Sequence, residues 1–231
     1  MTRPDLHLHE EILLLALDDD EGTIDFGSSW QMAAGGALIA ELLLEGRLRA
    51  TDDKHPKLLV VDPTPLGDAV LDAVLEEIAS AKKPKKGSDW VQKFANQGKL
   101  KERIAEGLVG KGVLKVEQDK VLWIFDRTKY PERDGRAEKE VAERLRKAIF
   151  TTTHDLTPRT IVLVSLADVA GLLPNLFDKH RLKDRKDRIK KISEGAVAGS
   201  LTGAAMEAVQ AMQAAVMVCC IMPAIVVTTT S

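Results

Sequence analysis

The sequence predicts a mainly α chain: a single globular helical domain, residues 1–231, with a projecting apolar β-hairpin. Three observations lead there. Apolar residues recur at helical spacing through most of the chain. One segment, GVLKVEQDKVLWIFD at 112–126, reads as two β-prone runs about a polar turn. No linker or internal repeat divides the 231 residues. Hydrophobic residues at 45% and charged residues at 29% match an ordinary globular domain and exclude disordered and fibrous classes.

Residues 7–18 predict a short amphipathic helix that stops in the acidic turn before Gly22. Residues 30–50, WQMAAGGALIAELLLEGRLRA, are small and aliphatic on most sides, the pattern of a central helix. Gly35 and Gly36 inside it allow a neighbouring helix close, and Gly46 ends it. Residues 47–62 hold two short β-prone stretches around DDKHP, a small hairpin. Asp68 is placed to cap a helix over 69–81. The basic loop KKPKK at 82–86 follows, then helices over 89–97 and 99–111. The apolar hairpin spans about 113–125, with residues 113–116 and 121–125 as strands and 117–120 as the turn. The remainder, residues 136–227, reads as helices over 136–150, 160–171, 172–193 and 195–227.

Chemistry-bearing patterns are sparse. No phosphate-binding glycine loop, nucleophile elbow or dinucleotide fingerprint is present. His7 and His9, two apart, fall on different faces of a helix and point to capping or solvent roles rather than a metal pair. Asp18, Asp19 and Asp20 read as a solvated helix end. No metal, no cofactor and no catalytic activity are expected. Cys219 and Cys220 are adjacent in an apolar run, the pattern of buried thiols in a reducing compartment. The opening MTRPDLHLHEE lacks the apolar stretch of a signal peptide, so a cytoplasmic protein is expected. A net charge of −2 and 4% aromatics argue against a nucleic-acid partner.

Three surfaces suggest association. Residues Val121, Leu122, Trp123, Ile124 and Phe125 are apolar in a row, so no polar outer face alternates with a buried one. The segment reads either as a membrane-inserting or self-associating ribbon, or as a strand covered on both sides. The basic stretches at 82–86 and 179–191 read either as contacts to an anionic membrane or as solvated faces with internal ion pairs. Residues 214–227 are apolar throughout but fall short of the roughly 20 that a span requires, so a buried terminal helix is expected, with Gly195, Gly199 and Gly203 along one face.

Five motifs in order resemble the Golgi phosphoprotein 3 family over about residues 6–150. They are LHLHEEILLLALDD at 6–19 followed by EGTI, LIAELLLEGRL at 38–48, PLGDAVLD at 65–72, WV at 90–91, and KERIAEGLVGKGVL at 101–114. The resemblance implies a helical, peripheral membrane-associated adaptor that binds phosphatidylinositol 4-phosphate in a shallow basic pocket. A tryptophan and three arginines line that pocket, with an apolar hairpin beside it. The family tryptophan falls at Phe26, with Trp30 one turn on; the arginines fall at Gly35, near Gly98 and at Lys101. Lys99, Lys101 and Arg103 are then the basic residues left to meet an anionic lipid headgroup. The resemblance further implies a protein client, and a place on the cytosolic membrane face: the Golgi in a eukaryote, or the inner plasma-membrane face in a bacterium, whose members the Ala-, Asp- and Arg-rich style resembles. The alternative is a soluble interaction module, a homo-oligomer joined through the hairpin without lipid.

Overall fold

At the centre of the molecule one helix is buried along its whole length. The computed structural model describes residues 5–18, 22–24, 29–52, 56–121, 125–196 and 209–210. The central helix is α1, Leu8–Ala16, and every residue in it is buried. Helix α2, Trp30–Leu44, lies against it, buried on most sides as its small and aliphatic residues require. Around this pair stand α3 (Ala69–Ala79), α4 (Gly87–Ala95), α5 (Leu100–Gly110), α6 (Arg136–Phe150) and α7 (Pro158–Val169). Helices α5, α6 and α7 pack on α1, and α3, α4 and α7 pack on α2. The chain is mainly α, as the periodicity predicts.

The amphipathic reading of α1 is corrected. His9, Glu10 and Glu11 are as buried as its leucines, because helices cover it on several sides. The close approach expected at Gly35 is present. A Cβ there would stand 2.6 Å from the Val91 carbonyl oxygen of α4.

Strands β1 (Leu48–Ala50) and β2 (Leu58–Val60) form the small hairpin expected at 47–62. Asp68 caps α3: its Oδ1 accepts from the Val70 and Leu71 N–H groups at 3.0 and 2.9 Å.

The second hairpin is shifted from the sequence reading. Strands β3, Glu117–Val121, and β4, Phe125–Lys129, pair antiparallel with Glu117 opposite Lys129 and Val121 opposite Phe125. The polar residues 117–120, expected as the turn, are therefore strand. Of residues 121–125, expected as the second strand, Val121 ends β3 and Phe125 begins β4, paired with one another, and 122–124 lie outside the described residues. Residues 113–116 form the root instead. Val113 and Leu114 are buried, and the backbone links Lys115 N–H to the Pro131 oxygen and Arg133 N–H to the Val113 oxygen, at 2.9 Å each. Two residues past Leu114 the chain is in solvent, with Val116 51% exposed. Among the described residues no helix packs broadly on β3 or β4. Side chains at the root are held by the core, so the strand signal of VLKV was spent on anchorage.

The stretch read as one helix over 172–193 is three: α8 (Leu173–Leu176), α9 (Lys179–Lys183) and α10 (Lys186–Ser193). Part of its basic character is structural. Arg188 donates from Nε to the Ala148 oxygen at 2.8 Å and from Nη2 to the Thr153 oxygen at 2.6 Å. These bonds occupy carbonyls at and beyond the C-terminal end of α6, where a cation also suits the helix dipole. The Arg181 guanidinium lies 4.8 Å from the Phe150 ring centre. Asp19, Asp20, Gly199, Gly203, Cys219, Cys220 and residues 211–227 lie outside the described residues.

Candidate functional site

The basic residues expected to meet a headgroup stand at the start of α5. Lys99 precedes the helix with φ 62°, in the left-handed region, and is exposed. The Lys101 Nζ lies 5.6 Å from the Tyr130 ring centre, so this cation sits beside the root of the second hairpin. Burial raises the Tyr130 phenol pKa, and Glu102 and Glu106 add to the rise. Arg103 donates from Nη1 to Gln97 Oε1 at 3.1 Å. Lys101 and Arg103, two apart on a helix, do not face one another. The structure gives them separate partners, Tyr130 and Gln97, rather than one cradle.

The other expected site residues divide. Trp30 is the first residue of α2 and 6% exposed, part of the hydrophobic core. Phe26, Leu122, Trp123 and Ile124 lie outside the described residues, while Val121 and Phe125 form the last pair of the ribbon. At Gly35 the α4 backbone fills the space an arginine would need. At Gly98 nothing stands within 4 Å of an added Cβ.

A second basic surface frames Trp90 on α4. Its ring is 2% exposed, and the ammonium groups of Lys85 and Lys93 lie 4.8 and 5.4 Å from its ring centre. It borders an open pocket of about 410 Å³ whose wall includes Leu58, Val60, Ile78, Lys83 and Pro84. The loop at 82–86 is tied at its end: the Leu58 N–H donates to the Lys85 oxygen at 2.9 Å.

The most concentrated electrostatics lie inside, around α1. Three buried carboxylates are each met by a cation from another element. Glu10 accepts from Lys111 at 2.6 Å, and Glu11 lies 2.6 Å from Arg144 of α6. Glu41 of α2 is held by Arg159 of α7, with one contact at 3.0 Å and a shorter second one. Glu41 also accepts the Leu8 N–H at 2.7 Å and faces His7 Nδ1 at 3.3 Å, so it holds the start of α1. Burial would raise the Glu41 pKa, but the bonds from His7 and Arg159 outweigh it and hold the carboxyl at about 2. The Glu41 bond raises the His7 pKa. Burial raises the Glu11 pKa against the pull of Arg144.

His7 and His9 do not point apart. Their rings stack 5.8 Å apart and within 8° of parallel, because His7 precedes the helix in extended backbone. His7 stands at the N-cap position, where its backbone N–H donates to Glu10 Oε2 at 2.8 Å while its side chain faces Glu41. His9 is wholly buried, which pushes its pKa down to about 4 and leaves it neutral. Neither of its ring nitrogens has a hydrogen-bond partner. The sequence reading missed this network. Its available signal was the opening His-x-His-Glu-Glu, four charged or polar side chains at the head of a run too apolar to face solvent.

The sequence profile of Golgi phosphoprotein 3 (GPP34) matches residues 8–212. Among characterised proteins, the chain is 28% identical over 192 residues to vacuolar protein sorting-associated protein 74 of Eremothecium gossypii, covering 72% of this chain and 57% of that protein. It is 26% identical over 224 residues to the protein of the same name in Schizosaccharomyces pombe, covering 83% of this chain and 66% of that protein. The chain thus spans less than two thirds of the length of either relative. Neither relative supports the bacterial placement at an inner plasma-membrane face. The profile match covers most of the chain, and with the ordered motifs along α1, α2, α3 and α5 it means that the chain belongs to the Golgi phosphoprotein 3 (GPP34) family.

Proposed function

We propose that this chain is a non-catalytic, peripheral membrane-associated adaptor. It binds anionic lipid headgroups through Lys99, Lys101 and Arg103 and dips the closed end of the β3–β4 ribbon into the bilayer. The register of that ribbon carries the reading. Its strands, EQDKV and FDRTK, are largely polar and pair as far as Val121 opposite Phe125, and the sequence joining those two residues is Leu122-Trp123-Ile124. A polar stem ending in Leu, Trp and Ile suits a headgroup layer over an acyl layer. Each such side chain buried contributes roughly 1.5–3 kcal/mol, and each nearby Lys or Arg about 1 kcal/mol at an anionic surface. Among the described residues no helix is long and apolar enough to cross a membrane, so on this reading attachment is by surface contacts.

Selectivity follows from the side chains present. Glycine at 35 and 98 offers no bidentate fork for a phosphate. Binding therefore follows surface charge more than headgroup identity, and phosphatidylinositol 4-phosphate is one anionic ligand among several. The name shared by the two relatives speaks of protein sorting, which supports a protein client, and the family name supports a place at the Golgi in a eukaryotic cell. A second reading, self-association, draws on the same ribbon: two strands leave two open edges, where another copy can pair.

Vesicle sedimentation tests the proposal. Phosphatidylcholine vesicles alone, with phosphatidylserine, and with phosphatidylinositol 4-phosphate at equal surface charge are compared at low and high salt. The expected result is binding to both anionic vesicles and weakening with salt as the attraction is screened. Failure to sediment with any vesicle, together with a concentration-dependent dimer, would move the reading to self-association. Strong preference for phosphatidylinositol 4-phosphate at equal charge would overturn the charge-driven account.

A further inference from the structure

We propose that His9, Glu10 and Asp68 form a binding site for one divalent transition-metal cation, with zinc the best fit. His9 and Glu10 stand in the first turn of α1, and Asp68 is the residue that caps α3. One ligand atom from each lies within 4.8 Å of the others, and His9 Nε2 is 3.6 Å from Asp68 Oδ1. Nitrogen and oxygen ligands around zinc at 2.0–2.2 Å stand about 3.4 Å from one another in a tetrahedron. The pair already has nearly that separation.

The buried atoms that lack partners point to a ligand independently of this clustering. His9 is wholly buried with both ring nitrogens unpartnered, and Glu10, equally buried, has an unpartnered Oε1. Leaving such groups unmet is costly, and native interiors rarely do so. A cation between Nε2 and Oε1 satisfies one atom of each residue. The remaining polar atoms act as supports. Glu10 Oε2 accepts from Lys111 Nζ at 2.6 Å and from the His7 N–H at 2.8 Å, which fixes the carboxylate with Oε1 free. Asp68 Oδ1 accepts two helix N–H groups, which fixes that carboxylate. Ligands held from behind in this way make a site rigid.

Chemistry selects the cation. One imidazole and two carboxylates suit zinc and its first-row neighbours, whereas magnesium and calcium favour six or more oxygens. Two carboxylates less one lysine leave a local charge that a dication offsets. Access is from the side where Asp68 and Lys111 reach the surface, with 9% and 28% of their side chains exposed. The carboxylate is not crowded by α5: Gly107 faces it, and a Cβ there would be 3.5 Å from Glu10 Oε1.

The test uses the full chain, stripped with chelator, dialysed and titrated with zinc chloride by calorimetry, with metal counted by elemental analysis. The expected result is one high-affinity zinc per chain. His9→Leu, which places an apolar residue in an apolar surround, is expected to lose at least about 100-fold in affinity, since loss of a supporting group alone costs 10–100-fold. Asp68→Asn is the second variant, because asparagine caps a helix as well as aspartate and keeps the fold; it is expected to lose at least about 10-fold. Circular dichroism confirms both are folded. The cobalt-loaded protein is expected to show d–d bands without thiolate charge transfer, which separates this site from Cys219 and Cys220. No zinc uptake, unchanged affinity in either folded variant, or a thiolate band would overturn the proposal.

Discussion

Arg159, in the first turn of α7, closes both terminal guanidinium nitrogens on Glu41, which is wholly buried in α2. The same guanidinium reaches the Leu6 carbonyl oxygen at 3.3 Å, and the same carboxylate receives the Leu8 N–H. One ion pair thus ties α2, α7 and the start of α1. A buried pair gains little net stability over apolar residues of equal shape, but removing one partner strands the other.

Arg159→Met is therefore expected to cost about 3–5 kcal/mol in chemical denaturation, the range for an uncompensated buried charge. A loss below about 1 kcal/mol, the range of an exposed pair, would mean that water reaches Glu41 in the folded state.

His9 sets a pH dependence. Its folded pKa of about 4 lies below the ordinary 6.5, so between those values the unfolded chain takes up a proton that the folded chain refuses. Stability therefore falls as pH drops from 6.5 to 4, by about 3 kcal/mol if the full shift is realised. The raised pKa of His7 adds stability that is complete below 6.5 and lost as pH rises through its folded value, so it gives no slope in this window. Glu41, held at about 2, loses its contribution below pH 4.5, and Glu11, raised by burial, acts oppositely above 4.5; both are present in a His9→Leu variant. In chelator, wild type is expected to lose about 3 kcal/mol relative to His9→Leu across the window. Parallel curves would mean that His9 is solvated.

Glycines 35 and 98 are expected to behave differently. Gly35→Ala places a Cβ 2.6 Å from a backbone oxygen and is expected to cost at least about 1–3 kcal/mol, as overpacking does. Gly98→Arg enters open space and is expected to leave the melting temperature unchanged while strengthening sedimentation with anionic vesicles. Equal tolerance at both positions would show that α2 and α4 separate more readily than their contact implies.

The helices were legible where apolar spacing alone decides them: α2, α3, α5 and α6 fall within a few residues of their expected bounds. The Asp68 cap was legible because a capping side chain acts on its own neighbours. What escaped depended on distant partners. The burial of Glu10, Glu11 and His9 requires Lys111, Arg144 and Asp68, which lie far along the chain. The hairpin register escaped for a related reason. Residues 113–116 look like strand, but Val113 and Leu114 are drawn into the core with Tyr130, and pairing begins at Glu117. The helix that carries Lys101 and Arg103 was legible; their separate partners, Tyr130 and Gln97, were not.

Vesicle sedimentation of the double variant Leu122→Ser, Trp123→Ser, with its melting temperature measured alongside, tests the membrane-inserting ribbon most directly. A ribbon that projects from its root at Leu114 is expected to shift the melting temperature by less than about 2 °C, under about 1 kcal/mol for a chain of this size. The same variant is expected to lose sedimentation with anionic vesicles, since two apolar side chains no longer enter the bilayer. A fall of many degrees, as large-to-small changes in a packed core produce, with vesicle binding intact, would contradict the ribbon's role and place residues 122 and 123 inside the domain.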